Sequence, residues 1–550
     1  ALNALVWGAE YPLWALEVEA VAHIALAAIG VYLFVRWALG LGSFPALVGA
    51  IVFGFGGYLT GFPLEQVTLL ATSAWLPWLL LAIHGLHGAR SPSRRLASVV
   101  LGALALAMTL LAGFPQTALY VLYLGAAYTL LQLGKVYVSR GPWRANLVAS
   151  VLLFTLGAGL AAAQLLPTMH FIAESSRGLP DYQFVRSGLS WEELATVFLP
   201  RVVGSSPLYG GIVTLLLLPL GMWRRMQRIE WRFWAGVALV GLLLALGGSS
   251  FFLDLFYLGA PGLDKIRSHE RALLLWSWSI ALLAAWGASV LFESFRDGRV
   301  RARLRRYVYW LALFLPVLLL PWLTLWTVRA LVVSRISINL EVLDGFFTRY
   351  SFFFVLFVLG WAFLFWASRY RPTEAGGRKT EAGRRRPEDG GRKTLVGPKV
   401  DTPWSSVVPG VALLALLVWD LFSITRATHI GSPTTEALRP RTEVVEALAA
   451  WQAVAPARVA VVGEPVPHSN DGMRWGFPLL SGNEPLRLTN SQRFLQEAPP
   501  WNQLQALAAG YVVADSNLAE RDPAAYELLA SAANPNSYLL HVRPPMPYAW

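Results

Sequence analysis

Residues 68–112, TLLATSAWLPWLLLAIHGLHGARSPSRRLASVVLGALALAMTLLA, place two apolar runs on either side of one short basic segment. Each run is long enough, as a helix, to cross most of a hydrocarbon core about 30 Å thick. The segment between them carries Arg90, Arg94 and Arg95 but no carboxylate. Lys and Arg near the ends of transmembrane helices stay on the cytoplasmic side. The stretch therefore predicts a helical hairpin with a cytoplasmic loop.

The same alternation continues along the chain. Further basic clusters lie at 135–144, 224–232, 296–306 and 369–399, and most Asp and Glu residues fall in the other gaps. The apolar runs predict an all-α polytopic membrane bundle of about twelve transmembrane helices. We predict these helices at 17–37, 44–62, 68–84, 96–112, 116–134, 146–166, 209–223, 233–248, 271–292, 307–328, 350–367 and 405–423.

Composition supports this class and excludes others. The 550 residues are 55% hydrophobic and 14% charged, which leaves too little polar surface for a soluble protein of this size. The net charge of +12 is concentrated in the predicted cytoplasmic segments, so membrane topology explains the positive charge. We therefore expect no nucleic-acid partner. The expected partners of the transmembrane helices are membrane lipids. The chain has no Cys, which excludes disulfides, thiolate metal sites and a Cys nucleophile.

The chain divides into two predicted domains. Residues 1–423 form the transmembrane domain, in which 371–400 is a low-complexity stretch that we predict to be a disordered cytoplasmic linker. Residues 424–550 predict a small, incomplete α/β domain outside the cytoplasm. Its predicted strands are Arg458–Gly463, Gly510–Asp515 and Tyr538–Arg543, and its predicted helices are Glu443–Trp451 and Ala524–Ala533.

Counting spans back from the Arg90–Arg95 loop puts residue 1 outside the cytoplasm. The sequence begins at Ala1 and ends at Trp550 within a Pro-rich segment. We therefore expect both ends to be cut and at least one N-terminal helix to be missing.

Several motifs occur in a fixed order along the chain. They are Gly54–Gly57 with Trp75–Trp78, Ala112–Gln116, Ala163–Pro167 with Glu174–Arg177, Leu246–Ser250 with Pro261–Arg271, and Asn470–Gly472 with Ser481–Leu486. In these motifs the chain resembles the bacterial YfhO-type membrane protein family, which is grouped with the GT-C-fold glycosyltransferases that act on lipid-linked sugars.

The resemblance implies a multi-pass, GT-C-like protein of the bacterial plasma membrane. It implies transfer of a sugar from a polyprenyl-phosphate-linked donor to a cell-envelope glycan or polymer acceptor on the outer side. It also implies inverting chemistry with a carboxylate base, often with a divalent metal ion, although these residues predict no metal site. The family's base lies in the first extracytoplasmic loop, which we expect upstream of residue 1. Within the sequence, Glu65 and Glu174 are the remaining candidates.

The strongest local signal is Asp264–Arg271, DKIRSHER, at the predicted outer mouth of a helix. Transfer from a polyprenyl-phosphate sugar leaves a phosphate, and cations stabilise its charge. Arg267 and Arg271 are spaced i, i+4 and would share one face if the helix begins this early. Interfacial charge that pairs locally is the alternative. The predicted substrate- and phosphate-binding residues are Arg267, Arg271, Glu270, His269, Gln116, Gln164 and Arg177.

Three other groups have alternative explanations. Glu65 and Gln66 lie in a short outer turn and could contact a sugar hydroxyl or cap the next helix. Gln164 lies within an apolar run, where a polar side chain seeks a partner across the bundle. His170 and Glu174 are spaced i, i+4, but two potential ligands do not make a metal site.

Two other classes of function stay open. A transporter or flippase of lipid-linked glycans would carry inverted repeats and charges at mid-membrane, and the sequence shows no such repeat. A non-catalytic envelope assembly protein would use residues 424–550 as its binding module.

Overall fold

The computed structural model describes residues 13–60, 66–175, 182–200, 207–335, 340–370, 407–429, 442–463, 477–480, 497, 504, 507–533 and 536–543. The chain divides into two compact units. The first comprises Ala1–Leu166 and Asp181–Ile430, and the second comprises Pro167–Pro180 and Gly431–Trp550.

The first unit is a helical bundle, and helix α9 continues from it into the second unit. The helices are α1 (Leu13–Trp37), α2 (Ser43–Phe55), α3 (Gly57–Thr60), α4 (Val67–Ala74), α5 (Leu76–Gly88), α6 (Pro92–Leu111), α7 (Pro115–Val138), α8 (Trp143–Leu160), α9 (Ala162–Glu174), α10 (Tyr182–Val185), α11 (Ile212–Arg225), α12 (Ile229–Ala245), α13 (Phe252–Gly259), α14 (Leu273–Ser294), α15 (Gly298–Ala312), α16 (Phe314–Arg335), α17 (Leu340–Arg369) and α18 (Val407–His429).

Over the described residues, each of the twelve predicted spans coincides mainly with helix in this bundle. Among the described residues, nine helical stretches are long and apolar enough to cross a membrane, and two shorter apolar helices occur at Ile212–Trp223 and Val407–Phe422. Some predicted spans are broken. The span at 68–84 is interrupted at Trp75, because Pro77 lacks the N–H that a continuing helix needs and instead lies in the first turn of α5.

Helix α14 is the centre of the bundle, and almost all of its side chains are buried. It packs against α2, α11 and α12. Glycines allow the closest of these approaches: a Cβ atom added at Gly287 would lie 2.1 Å from the carbonyl oxygen of Leu217. Small residues at helix contacts are typical of membrane bundles, where packing rather than water drives association.

A buried carboxylate joins α18 to the start of α11. Asp420 is fully buried, and its Oδ1 accepts a hydrogen bond from the Tyr209 hydroxyl at 2.6 Å. Its Oδ2 accepts from the backbone N–H of Val213 at 3.0 Å, which satisfies one of the free N–H groups in the first turn of α11. Gly211, at φ +95°, brings the chain into this turn.

The second unit contains a four-stranded sheet in the order β1-β2-β4-β3. The strands β1 and β2 are parallel, and β4 is antiparallel to both β2 and β3. Its elements are α19 (Glu443–Val454), β1 (Arg458–Val462), β2 (Ala509–Ala514), α20 (Leu518–Arg521), β3 (Tyr526–Ala533) and β4 (Asn536–Val542).

One secondary-structure prediction in this unit is wrong. Residues 524–533 were expected to be helical from their Ala and Leu content, but Tyr526–Ala533 is strand β3. It pairs with β4 along most of its length, from Tyr526 opposite Val542 to Ala533 opposite Asn536. Backbone pairing in the sheet therefore overrides the local helix propensity.

Candidate functional site

The segment Arg267–Arg271 forms a tight loop before α14, and we call it the arginine loop. Ser268 has a left-handed backbone, with φ +63° and ψ +58°, which is uncommon for a residue with a side chain. Ser187 holds this backbone by accepting two hydrogen bonds. The Ser187 hydroxyl accepts from the N–H of Ser268 at 2.7 Å, and the Ser187 carbonyl accepts from the N–H of His269 at 2.9 Å. Strain that is fixed by several contacts often marks a functional site.

Gln116 connects the arginine loop to helix α7. The chain turns at Gly113, which has φ +88°, and α7 begins at Pro115, so Gln116 lies in its first turn. The Gln116 Nε2 donates to the carbonyl oxygens of Arg267 at 2.7 Å and Ser268 at 3.1 Å. Its side chain is 7% exposed. Gln116 therefore fixes the loop through the backbone rather than presenting a free amide.

The guanidinium of Arg271 is held at a fixed place in the bundle. Its Nη1 donates to Gln116 Oε1 at 2.7 Å, and its Cζ lies 4.9 Å from the centre of the Phe114 ring. The carbonyl of the same residue accepts from the Tyr58 hydroxyl at 3.1 Å. Among the described residues, no acceptor pairs with the buried Arg271 Nε. A buried donor without an acceptor costs free energy, so this edge of the guanidinium favours an anion.

Arg267 is exposed, and its Cζ lies 5.0 Å from the centre of the Phe184 ring. The condition under which Arg267 and Arg271 would share one helix face is not met, because the α-helix begins only at Leu273. A short 3₁₀ turn at His269–Ala272 precedes it. The fold of the arginine loop and its hydrogen bonds to Gln116 bring the two cations into one segment, and helical spacing plays no part.

The remaining two predicted residues of the loop lie deeper. His269 is fully buried, and its Nδ1 is 3.1 Å from the hydroxyl of Tyr120 on α7. Glu270 is partly buried and immediately precedes Arg271 in the chain. The structure therefore places His269 in the packing beneath the loop and Glu270 beside the cation.

A shallow cavity of about 400 Å³ opens on the segment that leads into the arginine loop. Asp264 lines it, and its Oδ1 accepts from the N–H of Gly262 at 3.1 Å. Tyr182 donates a hydrogen bond to Asp254, and this bond raises the pKa of the Tyr182 phenol. The remaining lining residues of the cavity are Tyr257, Leu258, Gly259, Ala260 and Pro261.

The other predicted site residues do not join the loop in the described structure. Gln164 is exposed on α9. Further along that helix, in the second unit, His170 Nδ1 and Glu174 Oε1 are 3.6 Å apart and both side chains are exposed. Glu65 and Arg177 lie outside the described residues. Across the described ranges, no group of three or more His, Asp or Glu side chains is arranged to hold a metal ion.

Several residues of the site were not expected from the sequence. Phe184 comes from the short helix α10 and Ser187 from the loop after it, and Tyr58 and Tyr120 come from the bundle core. Each is an ordinary apolar or small polar residue in its local context, so only the tertiary fold shows its role. Phe114 lies within the Ala112–Gln116 motif but was not singled out.

The fold and the arginine loop together define a class. The protein is a polytopic α-helical membrane protein with a small C-terminal sheet domain, which confirms the predicted fold class at that level.

Comparisons with known proteins identify no family for this chain. No family model and no curated relative matches the sequence, so the YfhO-type resemblance stays a prediction. The chain is similar in structure to ArnT from Cupriavidus metallidurans, in a crystal structure bound to undecaprenyl phosphate (14% identity, TM-score 0.44) and in one of the apo state (12% identity, TM-score 0.41). Each alignment covers 98% of this chain and 85% of that chain. TM-scores below 0.5 do not carry a function from one protein to the other.

Proposed function

We propose that this protein is a membrane glycosyltransferase that uses a polyprenyl-phosphate-linked sugar, and that the arginine loop binds the donor's phosphate. The observation that carries the proposal is the Arg271 guanidinium, which Gln116 and Phe114 hold in place while its Nε lacks an acceptor among the described residues. The motif resemblance to GT-C-type proteins supports the same reaction.

The physical basis is stabilisation of a phosphate leaving group. When the sugar departs, negative charge develops on the carrier phosphate, and a cation that is already in position stabilises that charge. Arg presents a planar fork that matches two phosphate oxygens. Exposed Arg267 supplies a second cation from the same loop. The position of both on the segment leading into α14 suits a phosphate at the headgroup level of a bilayer.

The proposed acceptor is a glycan or polymer of the cell envelope, and the proposed location is the bacterial plasma membrane with residues 424–550 outside the cytoplasm. Two rivals bind similar molecules without breaking the sugar–phosphate bond. A flippase would move the intact lipid-linked glycan across the bilayer, and an assembly protein would only hold it.

Cleavage of the donor separates these functions. We expect the purified full-length protein in nanodiscs, given a polyprenyl-phosphate sugar and cell-envelope glycan, to release free polyprenyl phosphate over time. Thin-layer chromatography of a radiolabelled donor measures this release. The same donor in proteoliposomes, followed by its accessibility to an added enzyme on each side, measures translocation. Translocation of an intact donor without release of polyprenyl phosphate would contradict the glycosyltransferase proposal and support a flippase.

Membrane topology gives a second expectation. We expect residues 371–400 to be cytoplasmic and 424–550 to be extracytoplasmic, since basic residues concentrate in the former segment. The chain has no Cys, so a Cys introduced at Thr380 or at Ser516 is the only thiol in the sequence that a reagent can label. An impermeant thiol reagent added to intact cells should label Ser516→Cys and leave Thr380→Cys unlabelled. Labelling of both positions from the same side would contradict the predicted number of spans.

A further inference from the structure

Helix α15, Gly298–Ala312, carries basic side chains along one exposed side. Arg299, Arg303 and Arg306 are spaced i, i+4 and i+7, which aligns them on one face of a helix. All three are exposed, and we call them the arginine stripe. The opposite face packs into the bundle, and its buried residues are Val300, Leu304, Val308 and Leu311.

Helix α16 follows α15 after a break at Leu313, and the combined length of the two places the arginine stripe at the membrane surface. The helical stretch Gly298–Arg329 has 32 residues, whereas about 20 residues cross the hydrocarbon core. The first turns therefore extend beyond the hydrocarbon to the level of the lipid headgroups. Trp310 continues the stripe and is 66% exposed, as expected for an interfacial Trp. Further along, Val317 and Leu320 are exposed apolar side chains.

From α15 into α16, the exposed side chains thus change from cationic to aromatic to apolar. A phospholipid presents its phosphate, its glycerol region and its acyl chains in the same order. The order of side chains therefore matches the order of groups along a phospholipid. The cations lie at the headgroup level, and the apolar residues lie within the hydrocarbon core.

The charges of the arginine stripe are not neutralised within the described part of the chain. No carboxylate there forms an ion pair with any of the three. The guanidinium of Arg303 lies 5.3 Å from the centre of the Trp223 ring. Arg301 differs: its Nε and Nη2 donate to the carbonyl oxygens of Ser294 and Phe295, so it closes the end of α14. Like charges at i, i+4 repel one another, and an anion between them relieves the repulsion.

We propose that the arginine stripe binds the phosphate headgroup of an acidic phospholipid, with the lipid's acyl chains lying along Trp310 and the apolar residues beyond it. This surface is predicted to face the cytoplasm, and the cytoplasmic leaflet carries the anionic lipids. The tendency of basic residues to stay on that side accounts for positive charge there. It does not account for three aligned arginines that form no ion pair within the described residues and that continue into an exposed Trp.

Lipid-dependent thermal stability tests the proposal. We expect the purified protein in detergent micelles to unfold at a temperature several degrees higher when phosphatidylglycerol is added than when phosphatidylcholine is added. The variant Arg299→Gln/Arg303→Gln/Arg306→Gln should lose most of this difference. The matched control Arg90→Gln/Arg94→Gln/Arg144→Gln removes the same charge from other basic segments and should keep the difference. If the triple stripe variant does not fold, Arg303→Gln alone should reduce the difference.

Three further results would overturn the proposal. If phosphatidylglycerol and phosphatidylcholine stabilise the wild-type protein equally, or if the control variant loses as much as the stripe variant, the arginines act only as bulk charge. If soluble glycerol phosphate produces the same shift as phosphatidylglycerol, the surface binds a free phosphate and the lipid is not its ligand.

Discussion

Arg271→Ala is expected to weaken binding of a polyprenyl phosphate roughly ten- to a hundredfold. The variant removes a charge-assisted contact, and a hydrogen bond to a charged group contributes about 1.5–3 kcal/mol. Arg271→Lys should recover only part of the affinity, because an ammonium keeps the charge but loses the planar fork. Titration of the purified protein with a short-chain polyprenyl phosphate, followed by tryptophan fluorescence or native mass spectrometry, measures the dissociation constant.

A nearby cation provides the control for this effect. Arg186 is exposed and donates to Gln183 at 3.2 Å, so Arg186→Ala removes equal charge without touching the Arg271 guanidinium. We expect its affinity to stay close to that of the wild type. Equal losses in Arg186→Ala and Arg271→Ala would mean that general positive charge, rather than the arginine loop, attracts the phosphate. If Arg271→Ala binds polyprenyl phosphate with unchanged affinity, Arg271 has only a structural role.

The second large effect concerns stability. Asp420→Ala leaves two buried donors, the Tyr209 hydroxyl and the Val213 N–H, without their carboxylate acceptor. Each stranded buried donor costs about 1–3 kcal/mol. The contact also joins α18 to the first turn of α11, so its loss should loosen both helices. We expect a clear fall in the thermal unfolding midpoint in detergent, and a smaller fall for Asp420→Asn, whose amide oxygen still accepts one bond.

Ser279 is the matched control within the same bundle. It is fully buried on α14, and its hydroxyl pairs with no group among the described residues. Ser279→Ala removes a buried polar atom without stranding a partner and should be neutral or slightly stabilising. An Asp420→Ala variant that unfolds at the wild-type temperature would show that water or another group replaces the carboxylate.

The spans were predictable from the sequence because hydrocarbon imposes a length and a composition on each of them. Over the described residues, every predicted span coincides mainly with helix, since a backbone in lipid must satisfy its own hydrogen bonds. The breaks at Trp75 and at Leu313 were not predicted, because an apolar run looks continuous even where the helix is interrupted. Residues 524–533 show the opposite case, in which helix-forming residues pair as a strand.

The site was only partly predictable. The charge density of DKIRSHER identified the segment. Helical spacing placed Arg267 and Arg271 on one face only if the helix began early, and the α-helix begins at Leu273. The left-handed backbone of Ser268 and its anchor Ser187 depend on contacts between distant segments. Asp420 was missed, although a single carboxylate within the apolar helix Val407–His429 is itself a signal, since charge inside a membrane is costly.

The central claim is that the arginine loop recognises the phosphate of a polyprenyl carrier, and one comparison tests it most directly. The purified wild-type protein and Arg271→Ala are each titrated with a short-chain polyprenyl phosphate and with the corresponding polyprenol, which has the same chain and no phosphate. We predict that the wild type prefers the phosphate at least tenfold and that Arg271→Ala loses most of this preference. Equal binding of the phosphate and the alcohol by the wild-type protein would contradict the claim.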